Sequence, residues 1–493
     1  MKNPDIKLQQ SQKLPTKKQV DASPHWIMLF SAATGIACVP YVDSLSRRRQ
    51  QLGAKKSDSA PLEIDLANAK SSHVVFACVA EKITAFQLLT LTGKFIAALK
   101  KQKAERVGII INGFQPTQAE AVAEALVAAA CASVAEMPEY KSKKSSVRIL
   151  NRLDLYGIKV RHAFKRTMAE AKGNALARYL SMLPPNELTP ANYTQRIRKL
   201  SRENKWKLEV FDQKALRRKK AGAFLAVVQG SPDQDAAIVR LQYTPEKKSS
   251  KGKVILVGKG ICYDTGGTNL KPAKYMFGMH EDMQGSAVAL GSFLALTQLK
   301  PNFPIECWLA IAMNHIGPKA YKPNDVITAV DGTTIEIVHT DAEGRMVLAD
   351  TLALASKQKP ALMIDYATLT GACVYSIGTA YSGVFTNQEK FHPTLIEAGK
   401  DSGERVWPFP LDEDYDKGLE SDIADVKQCS LEGDTDHILA ARFLQRFVKN
   451  DTPWVHMDLS SSNRKGGLAH IPTDTTGFGV RYTMNLLLDK KLP

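Results

Sequence analysis

The chain has 493 residues, 44% of them hydrophobic and 24% charged, an ordinary balance for a folded soluble protein and more length than one core usually serves, so two domains are expected. Apolar runs such as residues 74–77 and 361–364 are far too short to cross a bilayer, which argues against a transmembrane helix. The net charge of +16 is uneven: residues 1–170 hold 26 Lys+Arg against 14 Asp+Glu, and the remainder 40 against 36.

Residues 1–20 are polar and lysine-rich, with no apolar stretch before a small-residue cleavage site, so they read as a solvated basic tail and not as a secretory signal. Apolar runs at 26–30 and 73–80 predict buried strands, 83–100 a helix, 106–111 a strand and 117–134 an alanine-rich helix. This alternation predicts a small N-terminal α/β domain over residues 21–165. A basic loop at 141–146 and a short strand at 147–151 close it. A helical period over 164–183 stops at Pro184-Pro185, and Thr189 caps a new helix with proline in its first turn.

The link between domains is placed near 163–175, and a larger second domain is expected over 166–493. There, strands at 208–211, 224–228, 237–241, 254–258, 305–312, 335–338, 362–367 and 455–459 alternate with helices near 285–299, 345–356, 437–448 and 477–488. That pattern predicts an α/β fold with a central, mostly parallel sheet flanked by helices. Seven cysteines, an odd count without a CxxC pair, favour reduced thiols and a cytoplasmic location. The basic first third, with Arg47-Arg48-Arg49, suits either nucleic-acid contact or a solvated surface. The second reading is preferred, because basic residues interleaved with aromatic ones are missing.

Chemistry concentrates between residues 259 and 345. Lys259 follows the strand at 254–257, and Asp264 opens the turn Asp264-Thr265-Gly266-Gly267. Asp282 precedes the helix near Gly285, while Asp341 and Glu343 lie between the strand at 335–338 and the helix opening at Arg345. Strand C-termini are where open α/β sheets build their sites. Four carboxylates brought together repel one another, and bound cations are the simplest remedy. Oxygen donors without an HExxH pair suit Mn²⁺ or Mg²⁺, and also Zn²⁺. Read one at a time, these carboxylates are ordinary helix caps and partners of lysines. Gly258-Lys259-Gly260 lacks the spacing of a nucleotide loop. His280, His315 and His437 read as hydrogen-bonding histidines, and Cys262 as a buried thiol.

The blocks Val257-Gly258-Lys259-Gly260, Asp264-Thr265-Gly266-Gly267, Leu270-Lys271-Pro272, Glu281-Asp282-Met283, Thr340-Asp341-Ala342-Glu343-Gly344-Arg345 and Ala367-Thr368-Leu369-Thr370-Gly371-Ala372 resemble the signature blocks of the leucyl aminopeptidase (cytosol aminopeptidase) family. The likeness covers roughly residues 170–490 and is weak before them. It implies a binuclear metallo-exopeptidase that removes N-terminal residues from peptides and assembles as a homohexamer. By the same resemblance, Asp264, Asp341 and Glu343 hold one ion, and Lys259, Asp264, Asp282 and Glu343 the other. Lys259 then ligates as a neutral amine, which requires a depressed pKa. Lys271 would stabilise the oxyanion, Arg345 would hold a bicarbonate, and Met279, Thr368, Leu369 and Gly371 would line the pocket for the N-terminal side chain. Three departures stand out: Gln284 where the family has glycine, His339 where it has asparagine, and Gly433-Asp434-Thr435-Asp436-His437 where it is small and apolar. Two alternatives remain at this point, a two-metal phosphoester hydrolase and a nucleic-acid-binding role for the basic first third.

Overall fold

The computed structural model describes residues 6–55, 59–143, 150–247 and 252–492. The chain folds as two units, one of Met1–Ala175 with Lys465–Asp474, the other of Leu176–Arg464 with Thr475–Pro493. It passes from one to the other inside the helix Lys165–Ser181.

The first unit holds strands β1 (Lys7–Ser11), β2 (His25–Ser31), β3 (Leu62–Asp65), β4 (His73–Val79), β5 (Arg106–Asn112) and β6 (Arg152–Tyr156) in the order β1-β6-β5-β2-β4-β3. Neighbours run parallel except β3 against β4. Successive side chains alternate between two cores: Ile27, Leu29, Val75, Ala77, Ile109 and Ile111 join one, and Trp26, Met28, Phe30, Val74, Phe76 and Ile110 the other. Burial on both faces explains why these strands read as unbroken apolar runs. The helices Ala85–Lys101 and Pro116–Val134 supply the first core; Thr84 and Gln87 form a capping box at the start of the former.

Two expectations are revised. The polar stretch 1–20, read as a solvated tail, supplies edge strand β1, and Thr16 caps the short helix Lys17–Asp21. An edge strand needs backbone pairing more than apolar side chains, so its sequence carries no hydrophobic signal. The strand expected at 147–151 falls mainly on residues outside the described set, and the described strand there is β6. Within the basic run, Arg48 donates to Glu63 O at 3.1 Å and Arg49 donates to Lys55 O. Those two guanidinium groups therefore brace this unit.

The second unit contains β7 (Lys207–Asp212), β8 (Ala237–Tyr243), β9 (Val254–Asp264), β10 (Ile305–Asn314), β11 (Val326–Thr328), β12 (Thr334–Glu336), β13 (Leu362–Ala367), β14 (Ser382–Thr386), β15 (Val406–Pro408), β16 (Val426–Lys427) and β17 (Trp454–Asp458). Its main sheet has the order β15-β14-β17-β13-β9-β10-β8-β7, parallel through the centre from β17 to β10 and antiparallel at β8, β7 and β14. The helices Gln284–Gln298 and Val480–Leu488 pack together, and the former lies on β9, β10 and β13. The helix Glu343–Ser356 packs on β9 and β10 with Gly222–Val228 and Asp436–Gln445 beside it.

Residues 224–228, expected as a strand, lie in the helix Gly222–Val228. A five-residue apolar run has too little length to separate the two periods. The strand expected at 335–338 is β12, and it belongs to a separate sheet of order β11-β12-β16. Among the described residues, no helix is long and apolar enough to cross a membrane.

Candidate dimetal active site

Asp264, Asn314, Thr368 and Asp458 stand at or just beyond the C-terminal ends of β9, β10, β13 and β17 of the main sheet. Lys259 lies within β9, which continues to Asp264 instead of stopping at Gly258. Asp264 pairs in register with Asn314 at the end of β10. Its Oδ1 accepts from Gly266 N and from Asn314 Nδ2, both at 2.8 Å. Gly266 and Gly267 adopt φ of +86° and +67°, a left-handed turn in which glycine carries no steric cost. That turn meets the Asp341 loop, where Thr340 Oγ1 donates to Gly266 O at 2.6 Å. Asn314 Nδ2 and Tyr321 OH donate to Thr340 O at 3.0 and 2.8 Å. Beyond β13, Thr368 Oγ1 donates to Asp282 Oδ1 at 2.7 Å, and Thr368 O accepts from Lys259 Nζ at 3.0 Å.

These loops bring oxygens of Asp264, Asp341 and Glu343 within 4.8 Å of one another. Lys259 Nζ lies 2.8 Å from Asp282 and 2.9 Å from Glu343, and Lys271 Nζ lies 3.0 Å from Asp264 and pairs with Asp341. Burial first, then the neighbouring Asp264 and Glu343 carboxylates, push Asp341 up to about 7. Burial with Asp264 and Asp282 nearby takes Glu343 to about 8, against the pull of Lys259. Burial takes Asp282 to about 6, with Lys259 opposing. Lys259 runs against its expected depression: burial alone would lower it, but Asp282, Glu343 and Asp264 more than reverse this and hold it above the ordinary lysine value. A neutral Lys259 therefore requires cations to offset those carboxylates.

Four carboxylates face two ammonium groups, which leaves an excess of negative charge in a buried place. Glu343 Oε2, on a residue 1% exposed, has no hydrogen-bond partner. Hard divalent cations meet both demands, so the donor set fits the metals it was expected to hold.

The same residues line a cavity of about 600 Å³. Every residue that the resemblance assigns to the metals, the reaction or the side-chain pocket lines it: the carboxylates and lysines above, Arg345, and Met279, Thr368, Leu369 and Gly371. So do all of the noted departures except Asp434, Thr435 and His437: Gln284, His339, Gly433 and Asp436 reach it. Arg345, the residue the resemblance assigns to bicarbonate, donates from Nη2 to both Asp436 oxygens, at 2.8 and 3.0 Å, and from Nη1 to Gln428 O at 3.0 Å.

Several contributors escaped the sequence reading. Asn314 orients Asp264 but belongs to no recognisable block. Asp458, at the end of β17, accepts from Leu369 N at 3.1 Å and Thr370 Oγ1 at 2.7 Å and so positions the loop after β13. The strand-end rule that singled out Asp264 applies equally to Asp458. His437 packs edge-on against Phe409, and burial lowers its pKa. Cys262 is fully buried, which raises its thiol above the usual value and suits an inert packed cysteine.

Residues 175–484 match the family model described as "Cytosol aminopeptidase family, catalytic domain". The chain is similar to a probable cytosol aminopeptidase of Wolbachia pipientis wMel, 36% identical over 413 residues, with 82% of this chain and 80% of that one covered. Against a probable cytosol aminopeptidase of Stutzerimonas stutzeri (strain A1501) it is 41% identical over 359 residues, covering 71% of each. A mutant of tomato leucine aminopeptidase shares the fold, with a TM-score of 0.86 and 24% identity over 99% of this chain and 97% of its own. Neither the phosphoester hydrolase nor the nucleic-acid reading is favoured by these relatives. With its catalytic blocks converging on one buried acidic centre, the chain belongs to the cytosol aminopeptidase family and is a metal-dependent aminopeptidase.

Proposed function

We propose that two divalent cations per subunit, Mn²⁺ or Zn²⁺ with Mg²⁺ as a third candidate, bind at this centre. Asp264, Asp341 and Glu343 would hold one; Lys259, Asp264, Asp282 and Glu343 would hold the other. The observation that carries this reading is the convergence of Asp264, Asp341 and Glu343 within 4.8 Å, with Glu343 Oε2 left without a partner. When bound, the ions supply a water of lowered pKa and polarise the scissile carbonyl.

The chain's own groups supply the rest. Lys271 keeps its ammonium charged beside Asp264 and Asp341 and stabilises the oxyanion as it develops. Thr368 holds Asp282 in place through its hydroxyl. Met279, Thr368, Leu369 and Gly371 receive the side chain of the substrate's first residue in a cavity of about 600 Å³, a size suited to a small ligand. Peptides with a free N-terminus are the substrates.

An N-terminal domain over residues 21–165, a catalytic domain over 166–493, a homohexameric assembly and a cytoplasmic location complete the proposal. The cytoplasmic location is supported by the seven cysteines, six of them buried. The deciding experiment offers the purified protein an aminoacyl anilide and an aryl phosphate, with Mn²⁺ or Zn²⁺ and with chelator, alongside a metal assay. Metal-dependent release from the anilide, with two ions per chain, is the expected result. Release from the phosphate alone would overturn the assignment.

A further inference from the structure

We propose that Asp436 is the resident carboxylate of the Arg345 site, so that this protein carries its own anion there and works without a free one such as bicarbonate. The inference rests on the aminopeptidase reading above. Arg345 is 2% exposed, and a buried guanidinium is costly unless its charge and donors are matched. The match comes from within the chain: Nη2 donates to both Asp436 oxygens at 2.8 and 3.0 Å. Gln428 O takes Nη1 at 3.0 Å, and Nε alone has no partner.

Asp436 is the first residue of the ten-residue helix Asp436–Gln445, where the helix dipole favours a carboxylate. It lines the same cavity as Asp341 and Glu343, and its side chain is 25% exposed. A free anion would have to displace this tethered carboxylate from Arg345. The residue belongs to the stretch Gly433-Asp434-Thr435-Asp436-His437, one of the sequence's departures from the family pattern.

The reaction gives such a carboxylate a task. As water oxygen bonds to the scissile carbon and the C–N bond breaks, a proton lost by the water must reach the departing nitrogen. Asp436 accepts that proton and passes it on, ending unchanged, with Arg345 holding it in position.

The test uses the metal-loaded protein, Asp436→Gly and Asp436→Asn, in buffer stripped of carbon dioxide and then supplemented with bicarbonate or formate. Kinetics on an aminoacyl anilide, metal content and melting temperature are recorded for each. The wild type should be equally active with and without either anion, and neither should raise its melting temperature. Asp436→Gly should keep both ions and a near-normal KM but lose about 100-fold in kcat, the lower end of what a proton-transferring group contributes. Bicarbonate or formate should restore much of that rate and raise the variant's melting temperature. Asp436→Asn, which fills the place with a neutral group, should be as slow and gain nothing from either anion. A wild type that requires bicarbonate, or an Asp436→Asn variant of full activity, would overturn the proposal. Anilide hydrolysis by the metal-loaded wild type would stand in either case, so the two readings fail separately.

Discussion

At the scale of single residues, the acidic centre is an arrangement of mismatched charge. Lys259 touches Asp282 and Glu343, and Lys271 touches Asp264 and Asp341, yet Asp282, Asp341 and Glu343 still sit well above their ordinary pKa values. Removing a member should therefore have different consequences according to its role. Asp341→Ala or Glu343→Ala is expected to lose both metal and activity, checked by elemental analysis of the dialysed protein together with anilide turnover. Lys271→Ala should retain its ions while kcat falls about 100- to 1000-fold, the range for loss of one oxyanion-stabilising donor. Metal loss from the Lys271 variant would instead make that lysine part of the binding set. The acidic and lysine residues were legible because their chemistry is unusual for glycine-rich strand ends. Asn314 and Asp458 were not, because each acts through a hydrogen bond to a partner remote in sequence, 50 residues away for Asp264 and 88 or 89 for Thr370 and Leu369.

At the scale of elements, the site depends on how closely helices approach the sheet. A Cβ on Gly285 would lie 2.1 Å from Tyr366 O, and one on Gly258 would lie 2.4 Å from Ser286 Cα. The helix Gln284–Gln298 thus presses its first turn against β9 and β13 beside Asp282. Gly285→Ala should push it away, costing about 1–3 kcal/mol as overpacking does. Urea unfolding reads that loss, and a parallel fall in metal retention is expected because Asp282 precedes the displaced turn. An unchanged midpoint would mean that the helix shifts freely. The long elements of the central sheet were readable from hydrophobic runs and proline stops. Short ones were not: residues 224–228 became helical because they pack against Glu343–Ser356, where Phe224 N donates to the buried Asp350 at 2.8 Å. Period alone contains none of that tertiary information.

For the whole molecule, stability is tied to two charge arrangements. One is the acidic centre, since ions that bind the folded chain and not the unfolded one stabilise it by mass action. Chelation should lower the melting temperature, and added Mn²⁺ or Zn²⁺ should restore it in a concentration-dependent way. A melting temperature indifferent to chelator would argue against a resident metal. The other is the fully buried His456, whose Nδ1 lies 2.6 Å from Asp365 while Trp454 Nε1 donates to the second oxygen at 2.6 Å. Burial opposes charge on His456, but Asp365 prevails and raises its pKa above the ordinary histidine value.

A group raised on folding contributes stability that is complete below its unfolded pKa, near 6.5, and is lost as pH climbs through the raised value. The unfolding free energy should therefore decline as pH rises above about 6.5. His456→Asn should flatten that slope, as measured by urea titrations across the range. A wild-type curve as flat as the variant's would show that the pair does not titrate there.

The amino-acid sequence by itself determined the class of fold, the family, and the carboxylates and lysines of the centre, because alternating apolar runs and spaced acidic blocks are local properties of the chain. Only the tertiary structure decided that 7–11 pairs as an edge strand, that 224–228 is helical, that Lys259 lies against Asp282 and Glu343, and that Asp436 meets Arg345. Each of those outcomes depends on a partner distant in sequence, and pairing across such distances is set by packing and burial, which no local pattern encodes.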